Sequence, residues 1–139
     1  MNGKVFFDTN VFIYTQSENE PNKRSIALKA LDEYDCCTST QVFNEVCNVM
    51  IKKLKMRICE VKQVIAAIND KCEVYTVSYE AVQKALDIKE RYNFSYYDSL
   101  ILSSAILSGC KYLLSEDLQN GQKIDGAVEI VNIFKNIPK

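Results

Sequence analysis

Four carboxylates, spread through the whole chain, are the side chains of this sequence best suited to carry chemistry. They are Asp8, Glu45, Asp98 and Asp117. Carboxylates that cluster without neutralising bases repel one another, and their pKa values rise. A bound divalent cation relieves this repulsion, and an all-oxygen ligand set suits Mg²⁺ or Mn²⁺ rather than zinc or copper. Such ions hold phosphates and turn bound water into a nucleophile at neutral pH.

The chain of 139 residues contains no histidine. This absence excludes mixed cysteine–histidine zinc sites, Ser-His-Asp and Cys-His nucleophilic catalysis, and histidine acid–base chemistry. The six cysteines show no CxxC spacing and no local pairing, so their spacing does not support a four-cysteine zinc site. We expect them to be reduced, small and mostly buried. They are Cys36, Cys37, Cys47, Cys59, Cys72 and Cys110.

Strands alternate with helices along the sequence. This order predicts an α/β fold of three layers (α/β/α), with a central parallel sheet and right-handed crossovers. Length and composition predict a single domain over residues 1–139, whose tail ends just past Pro138. Strands are predicted at residues 5–7, 35–39, 73–77, 111–115 and 128–133. Helices are predicted at residues 11–14, 23–34, 41–53, 61–68, 79–92 and 100–109, with Val82, Leu86 and Ile88 as the apolar positions of 79–92, and residues 119–126 as a polar loop.

The predicted elements bring the four carboxylates to one edge of the sheet. Asp8 and Asp117 directly follow apolar strands, so both lie at carboxyl ends, where open parallel sheets bind ligands. Asp98 opens the helix that leads into strand 111–115. Because that helix runs antiparallel to the strands, its start lies at the same edge. Glu45 lies about one turn into its helix, roughly 6 to 8 Å from the start at about 1.5 Å per residue.

Each carboxylate also has an ordinary structural explanation. Asp8 can cap the helix that follows it. Asp98 stands three residues after Ser95, which is a capping-box spacing. Glu45 fits a solvated helix position, and Asp117 fits the cap of a short turn. These explanations give no reason for all four residues to share an edge, so the set together favours a site.

Charge and hydropathy restrict the partners. The net charge is −1 and the pI about 5.5, whereas proteins that hold nucleic acid by electrostatics alone are strongly basic. Any grip on nucleic acid must therefore be local or bridged by metal ions. The basic cluster Lys52, Lys53, Lys55 and Arg57 fits a solvated helix end or a phosphate contact. No apolar run approaches the roughly 20 residues of a membrane span and no signal peptide is evident, which predicts a cytoplasmic protein without a membrane partner.

Four short motifs, in this order and spacing, resemble those of the PIN domain, the nuclease fold of the VapC-type toxins. They are FDTN at residues 7–10, STQVFNE at 39–45, YDSLI at 97–101 and LSEDL at 114–118. The resemblance covers essentially the whole chain, and the ordered set is more specific than any one motif. It implies a Mg²⁺- or Mn²⁺-dependent endoribonuclease that is the toxin of a type II toxin–antitoxin pair.

The resemblance also implies roles and partners. The acidic quartet would surround the metal, with Thr9, Asn10 and Ser115 as supporting polar residues at the same edge. The protein would form a homodimer, cut RNA (in such toxins often a structured RNA such as tRNA), and be held inactive by an antitoxin whose segment lies near the active site. Many members carry another acidic residue shortly after the last Asp, where this chain has Gln119 and Asn120. A second metal is therefore expected to bind weakly or only with substrate.

Two other enzyme classes and one non-enzymatic module share part of this pattern. A phosphatase of the haloacid dehalogenase type also has an Asp after its first strand, but it needs a second Asp two residues later, where this chain has Asn10. A receiver domain needs an acidic pair before its phosphorylated Asp and a lysine on a late strand end, and neither is evident. A PIN-like module that binds RNA or a protein without cleaving is the non-enzymatic alternative, and an intact quartet argues against it.

Overall fold

A computed structural model describes residues 1–135, so the predicted tail at Pro138 lies outside the described residues. The strands are β1 (Lys4–Phe7), β2 (Asp35–Ser39), β3 (Glu73–Tyr75), β4 (Tyr112–Leu114), β5 (Lys123–Ile124) and β6 (Val128–Val131). The helices are α1 (Thr9–Tyr14), α2 (Pro21–Glu33), α3 (Thr40–Lys52), α4 (Ile58–Lys71), α5 (Tyr79–Tyr92) and α6 (Tyr96–Leu107). No helix within the described range combines the length and the apolar character that crossing a membrane requires.

The strands form one sheet in the order β3-β2-β1-β4-β6-β5. The chain moves outward from β1 through β2 to β3 and then returns to β4 on the other side of β1. Because crossovers between parallel strands are right-handed, α1 to α4 cover one face and α5 and α6 cover the other. Helix α6 contacts β2, β4 and β6 across that second face. The predicted α/β/α fold with a mostly parallel central sheet is confirmed.

The order in which the chain fills the sheet reverses beside β1, which pairs in parallel with β2 on one side and with β4 on the other. Its residues Val5, Phe6 and Phe7 are fully buried, as an apolar central strand requires. In open α/β sheets the crevice at such a switch point, outside the carboxyl ends of the strands, is the usual ligand site. The carboxyl end of β1 therefore lies at the position where a ligand site is expected.

Serine caps fix the starts of the helices that carry two of the four carboxylates. The hydroxyl of Ser39 accepts the backbone N–H of Val42 at 3.3 Å and begins α3. The hydroxyl of Ser95 accepts the backbone N–H of Asp98 at 3.1 Å and begins α6. Such caps satisfy backbone donors that a helix start leaves without partners. They set which residues of α3 and α6 lie nearest the sheet edge.

Two sequence-based expectations about apolar positions are wrong. Leu86 is 55% exposed, because α5 buries Ala81, Ala85 and Ile88 instead of a face centred on its larger side chains. The predicted polar loop at residues 119–126 contains β5, which pairs antiparallel with β6 and buries Ile124. One isoleucine in a polar stretch was too weak a signal for a two-residue edge strand.

The expectation that all six cysteines are reduced is also wrong, because Cys36 and Cys72 form a disulfide. Strands β2 and β3 pair in parallel with Cys37 opposite Glu73, so the residues before them, Cys36 and Cys72, lie side by side. Their separation of 36 positions hides this contact from any local pattern. The other four cysteines are free; Cys37 and Cys110 are buried, and the remaining two, Cys47 and Cys59, are half-buried and exposed.

Candidate active site

Asp8 lies where β1 ends, at the centre of the sheet. Its backbone N–H donates to the carbonyl of Leu114 at 3.1 Å, which holds it against the end of β4. Its Oδ1 accepts the backbone N–H of Thr9 at 2.7 Å and caps α1. The capping explanation is therefore correct for Asp8, and it does not conflict with a role in a site, because a carboxylate has further lone pairs.

The other three carboxylates reach the same edge from different elements. Glu45 lies in the second turn of α3, and its Oε2 accepts the side-chain amide of Gln41 at 3.2 Å. Asp98 lies in the first turn of α6, as the cap at Ser95 requires. Asp117 follows β4 in the chain.

These four side chains line one cavity of about 240 Å³ at the carboxyl edge of the sheet. The expectation that they converge is confirmed, and their roles stay predictions. Among the described residues, the lining contains no basic side chain. Its residues are Asp8, Thr9, Asn10, Glu45, Asn48, Val49, Asp98 and Asp117.

Burial and mutual repulsion perturb two of these acids. The pKa of Asp8 is raised from an ordinary 3.8 to about 6, chiefly by burial and to a smaller extent by the negative charges of Asp98 and Asp117, while Thr9 and Ser115 act in the opposite direction. Burial also raises the pKa of Glu45, as do Asp8 and Asp98. A strongly perturbed acid in a cleft is typical of functional sites.

The supporting residues fall into two groups. Asn10 donates from Nδ2 to Oδ2 of Asp117 at 2.8 Å. The hydroxyls of Thr9 and Ser115 are buried without a partner in hydrogen-bonding geometry, although Ser115 is close enough to Asp8 to lower its pKa. Buried hydroxyls without partners are uncommon, and both lie beside Asp8.

The donor chemistry of this cavity fits a divalent cation. Carboxylate, hydroxyl and amide oxygens are the ligands that Mg²⁺ and Mn²⁺ prefer. A bound divalent cation would also relieve the mutual repulsion of the four acids. Within residues 1–135, no three acidic or cysteine side chains already converge as a closed set of ligands. This is consistent with Asp117 and Glu45 being held by Asn10 and Gln41, and with Mg²⁺ keeping several water ligands in its sites.

Sequence reasoning missed two sets of residues at this edge. Asn48 and Val49 line the cavity because they lie one turn beyond Glu45 on α3, and helical spacing alone could have found them. Tyr14, Lys23 and Glu116 form a hydrogen-bonded cluster next to Asp117. No sequence signal joins these three, because they lie on α1, on α2 and after β4.

The basic cluster lies at the end of α3 and in the turn that follows, with all four side chains exposed. Among the described residues its one ion pair joins Arg57 to Glu60 at 3.3 Å. A phosphate contact by this cluster stays a prediction.

The fold and the cavity together define a class: a mostly parallel α/β protein with an acidic, base-free cleft at the switch point of its sheet. The sequence matches the PIN domain over residues 5–124. The chain belongs to the PIN-domain family, and the resemblance stated above is confirmed. No curated protein matches the sequence significantly.

Solved structures with this fold include chains of toxin–antitoxin systems. One is from a toxin–antitoxin complex of Klebsiella pneumoniae (20% identity, TM-score 0.70, covering 92% of this chain and 96% of that one). A second is Mycobacterium tuberculosis VapC20, described as a Sarcin-Ricin loop cleaving toxin (14% identity, TM-score 0.68, covering 81% of this chain and 89% of that one). A third is from DNA-bound VapBC of Salmonella typhimurium (19% identity, TM-score 0.66, covering 91% of this chain and 96% of that one). At these identities the likeness establishes the fold alone.

Proposed function

We propose that this protein is a Mg²⁺- or Mn²⁺-dependent endoribonuclease, and that it acts as the toxin of a type II toxin–antitoxin pair in the cytoplasm. The observation that carries the proposal is the cavity in which four carboxylates meet without a basic side chain. Ionised together they repel one another, and burial raises the pKa of Asp8 to about 6. A divalent cation makes this arrangement favourable at neutral pH.

Three of the acids are assigned to the metal. Asp8, Asp98 and Asp117 would hold it directly or through water, and the buried hydroxyls beside Asp8 would accept or donate hydrogen bonds to its water shell. When bound, the ion supplies a water of lowered pKa and stabilises the charge that develops on the scissile phosphate.

The remaining residues of the cavity act on the attacking water and the substrate. Glu45, which lines the cavity and whose pKa is raised mainly by burial, would orient and deprotonate that water. Asn48 would contact the phosphate or the water through its amide. Because the chain has no histidine, cleavage through the 2′-hydroxyl assisted by histidine is not available. The expected products carry a 5′-phosphate and a 3′-hydroxyl.

The experiment is cleavage of total RNA by the purified protein with Mg²⁺, with Mn²⁺ and with EDTA. We expect cleavage with either ion, none with EDTA, and its recovery when metal is restored. Asp98→Asn should keep its fold and lose cleavage, whereas Asp87→Asn, an exposed acid of α5, should cleave normally. Metal-independent cleavage, or products that end in a 2′,3′-cyclic phosphate, would contradict the mechanism.

The toxin role is proposed from the structural neighbours, several of which come from complexes with an antitoxin. Expression of the wild-type chain is expected to arrest bacterial growth, and Asp98→Asn is expected not to. Co-expression of a small antitoxin should restore growth and co-purify with a homodimer. Normal growth with soluble, RNA-cleaving protein would contradict the toxin role and leave the nuclease assignment standing.

A further inference from the structure

Helix α1 carries Asp8 at its start but has only six residues. A helix this short is not stable alone, so its direction depends on tertiary contacts. Asn10 and Tyr14 stand one turn apart and therefore share a face of α1. Whatever that face contacts fixes the helix, and with it the position of Asp8.

Two successive carboxylates after β4 contact that face. Asn10 donates from Nδ2 to Oδ2 of Asp117 at 2.8 Å. The hydroxyl of Tyr14 donates to Oε1 of Glu116 in a short hydrogen bond. Asp117 lines the cavity and Glu116 does not. The segment that carries Asp117 is thus attached to α1 at two points, one inside the cavity and one behind it.

Lys23 of α2 completes the attachment behind the cavity. Its Nζ donates to Oε2 of Glu116 at 2.7 Å and to the hydroxyl of Tyr14 at 3.2 Å, and it lies 4.9 Å from the centre of the Tyr14 ring. The side chains of Lys23 and Glu116 are only 24% and 22% exposed. Charge-assisted hydrogen bonds of this kind are stronger than neutral ones, and partial burial limits their screening.

We propose that Lys23 is a positioning residue for the metal site, acting through Glu116 and Tyr14 on the distance between Asp8 and Asp117. The proposal rests on the proposed function. Lys23 satisfies the charge of Glu116 away from the cavity, so that only the second of the two adjacent acids, Asp117, faces the cavity that would hold the metal. Without Lys23 the Glu116 carboxylate loses its cation and keeps only the Tyr14 hydroxyl, so the attachment of the Asp117 segment behind the cavity is weakened.

The test is a titration of the purified protein with Mn²⁺, followed by electron paramagnetic resonance. Removing a partner behind a metal ligand typically weakens metal affinity by about 10- to 100-fold, so Lys23→Met should bind Mn²⁺ at least about tenfold more weakly. Lys23→Arg, which keeps the charge, should return to within about threefold of wild type. Lys29→Met is the matched control on the same helix, since Lys29 is exposed and pairs loosely with Glu33.

A cleavage assay against Mn²⁺ concentration gives the second readout. Lys23→Met should shift the midpoint by the same factor and keep the plateau rate at saturating metal. If that variant fails to fold, Tyr14→Phe, which removes a single hydroxyl, should give a smaller shift in the same direction.

The outcomes separate the two proposals. A wild-type protein that binds Mn²⁺ and cleaves RNA, with Lys23→Met lowering the melting temperature but leaving Mn²⁺ affinity unchanged, would overturn the positioning role alone. A wild-type protein that neither binds Mn²⁺ nor cleaves RNA would overturn the proposed function, and the positioning role with it.

Discussion

The two edges of the central sheet treat polar groups in opposite ways. At the amino edge, Lys4 at the start of β1 pairs with Glu73 at the start of β3 at 2.9 Å. The disulfide between Cys36 and Cys72 ties β2 to the entry of β3 at the same edge. The Lys4 and Glu73 charges there neutralise each other, and β2 is joined covalently to the entry of β3.

At the carboxyl edge Glu116 pairs with Lys23 behind the cavity, but among the described residues the acids that line the cavity have no cationic partner. Asp8 is buried next to other acids, with no cation among the residues of its cavity. The buried side-chain atoms without a hydrogen-bond partner in residues 1–135 are the hydroxyl oxygens of Thr9 and Ser115, and both lie here. Proteins tolerate such unsatisfied groups mainly where function requires them. This difference between the edges is the one that the proposed site predicts.

The largest expected effect is on catalysis at the carboxyl edge. Asp8→Asn removes the central charge while keeping the shape of the side chain, and we expect RNA cleavage to fall by at least about 10³-fold. Asp35→Asn, an exposed acid at the amino edge, should cleave at the wild-type rate. Initial rates of both variants on one RNA substrate check this. If Asp8→Asn kept more than about a tenth of the activity, the two edges would not differ in the way described.

The next effect is on stability at the amino edge. Cys36→Ala/Cys72→Ala removes a cross-link that closes a loop of 36 positions, so we expect the free energy of unfolding to drop by about 3 to 4 kcal/mol, while RNA cleavage by the folded protein is unchanged. Cys59→Ala, an exposed free thiol, is the control. Denaturant unfolding of all three proteins measures it. Equal midpoints for the double variant and wild type would show that the cross-link adds no stability.

The third effect is a pH dependence that belongs to the carboxyl edge. Because the pKa of Asp8 rises to about 6 in the folded chain from an ordinary 3.8, the native state binds more protons than the unfolded state between these values. Stability attributable to Asp8 therefore falls as pH rises from about 4 to about 6, and the full penalty of about 3 kcal/mol applies above that range. Asp8→Asn should be more stable than wild type at pH 7.5, and the gain should vanish near pH 4. A difference that is constant with pH would contradict the shift.

The smallest effect concerns one hydroxyl. Thr9→Val replaces a buried oxygen without a partner by a methyl group of similar size, so stability should stay within about 0.5 kcal/mol of wild type or rise. The Mn²⁺ concentration needed for half-maximal cleavage should rise several-fold. By contrast, Thr38→Val in β2 should cost about 1 kcal/mol, because the Thr38 hydroxyl donates to the carbonyl of Phe7 at 3.1 Å. Thermal melts and metal titrations of both variants test the contrast, and a larger loss of stability for Thr9→Val would reverse it.

The fold and the convergence of the four acids were predictable because they follow from the hydrophobic periodicity of the sequence and from the order of its strands and helices. An apolar run that ends in Asp8, a serine that caps the helix of Asp98, and the alternation of strands with helices are local signals with one geometric consequence. The match to the PIN domain over residues 5–124 covers all four acids and the elements that carry them. What was predicted lies mainly in the sheet and in the helix starts at its carboxyl edge.

What was missed depends on contacts between distant segments. The disulfide needs the register of β2 against β3, and β5 needs β6 as its partner. The attachment of Lys23 to Glu116 joins residues 93 positions apart. Leu86 is exposed because α5 packs closely against α6 through alanines. Side-chain size alone does not reveal which face of the helix is buried.

The central claim is that a divalent ion binds between the four acids. A crystal of the protein soaked in Mn²⁺ and measured at a wavelength with anomalous signal locates the ion directly. We expect a peak in the cavity with oxygens of Asp8, Asp98 and Asp117 bound directly or through water, direct ligands lying at roughly 2.0–2.4 Å. Mn²⁺ bound elsewhere on the molecule, with that cavity empty at saturating metal, would contradict it.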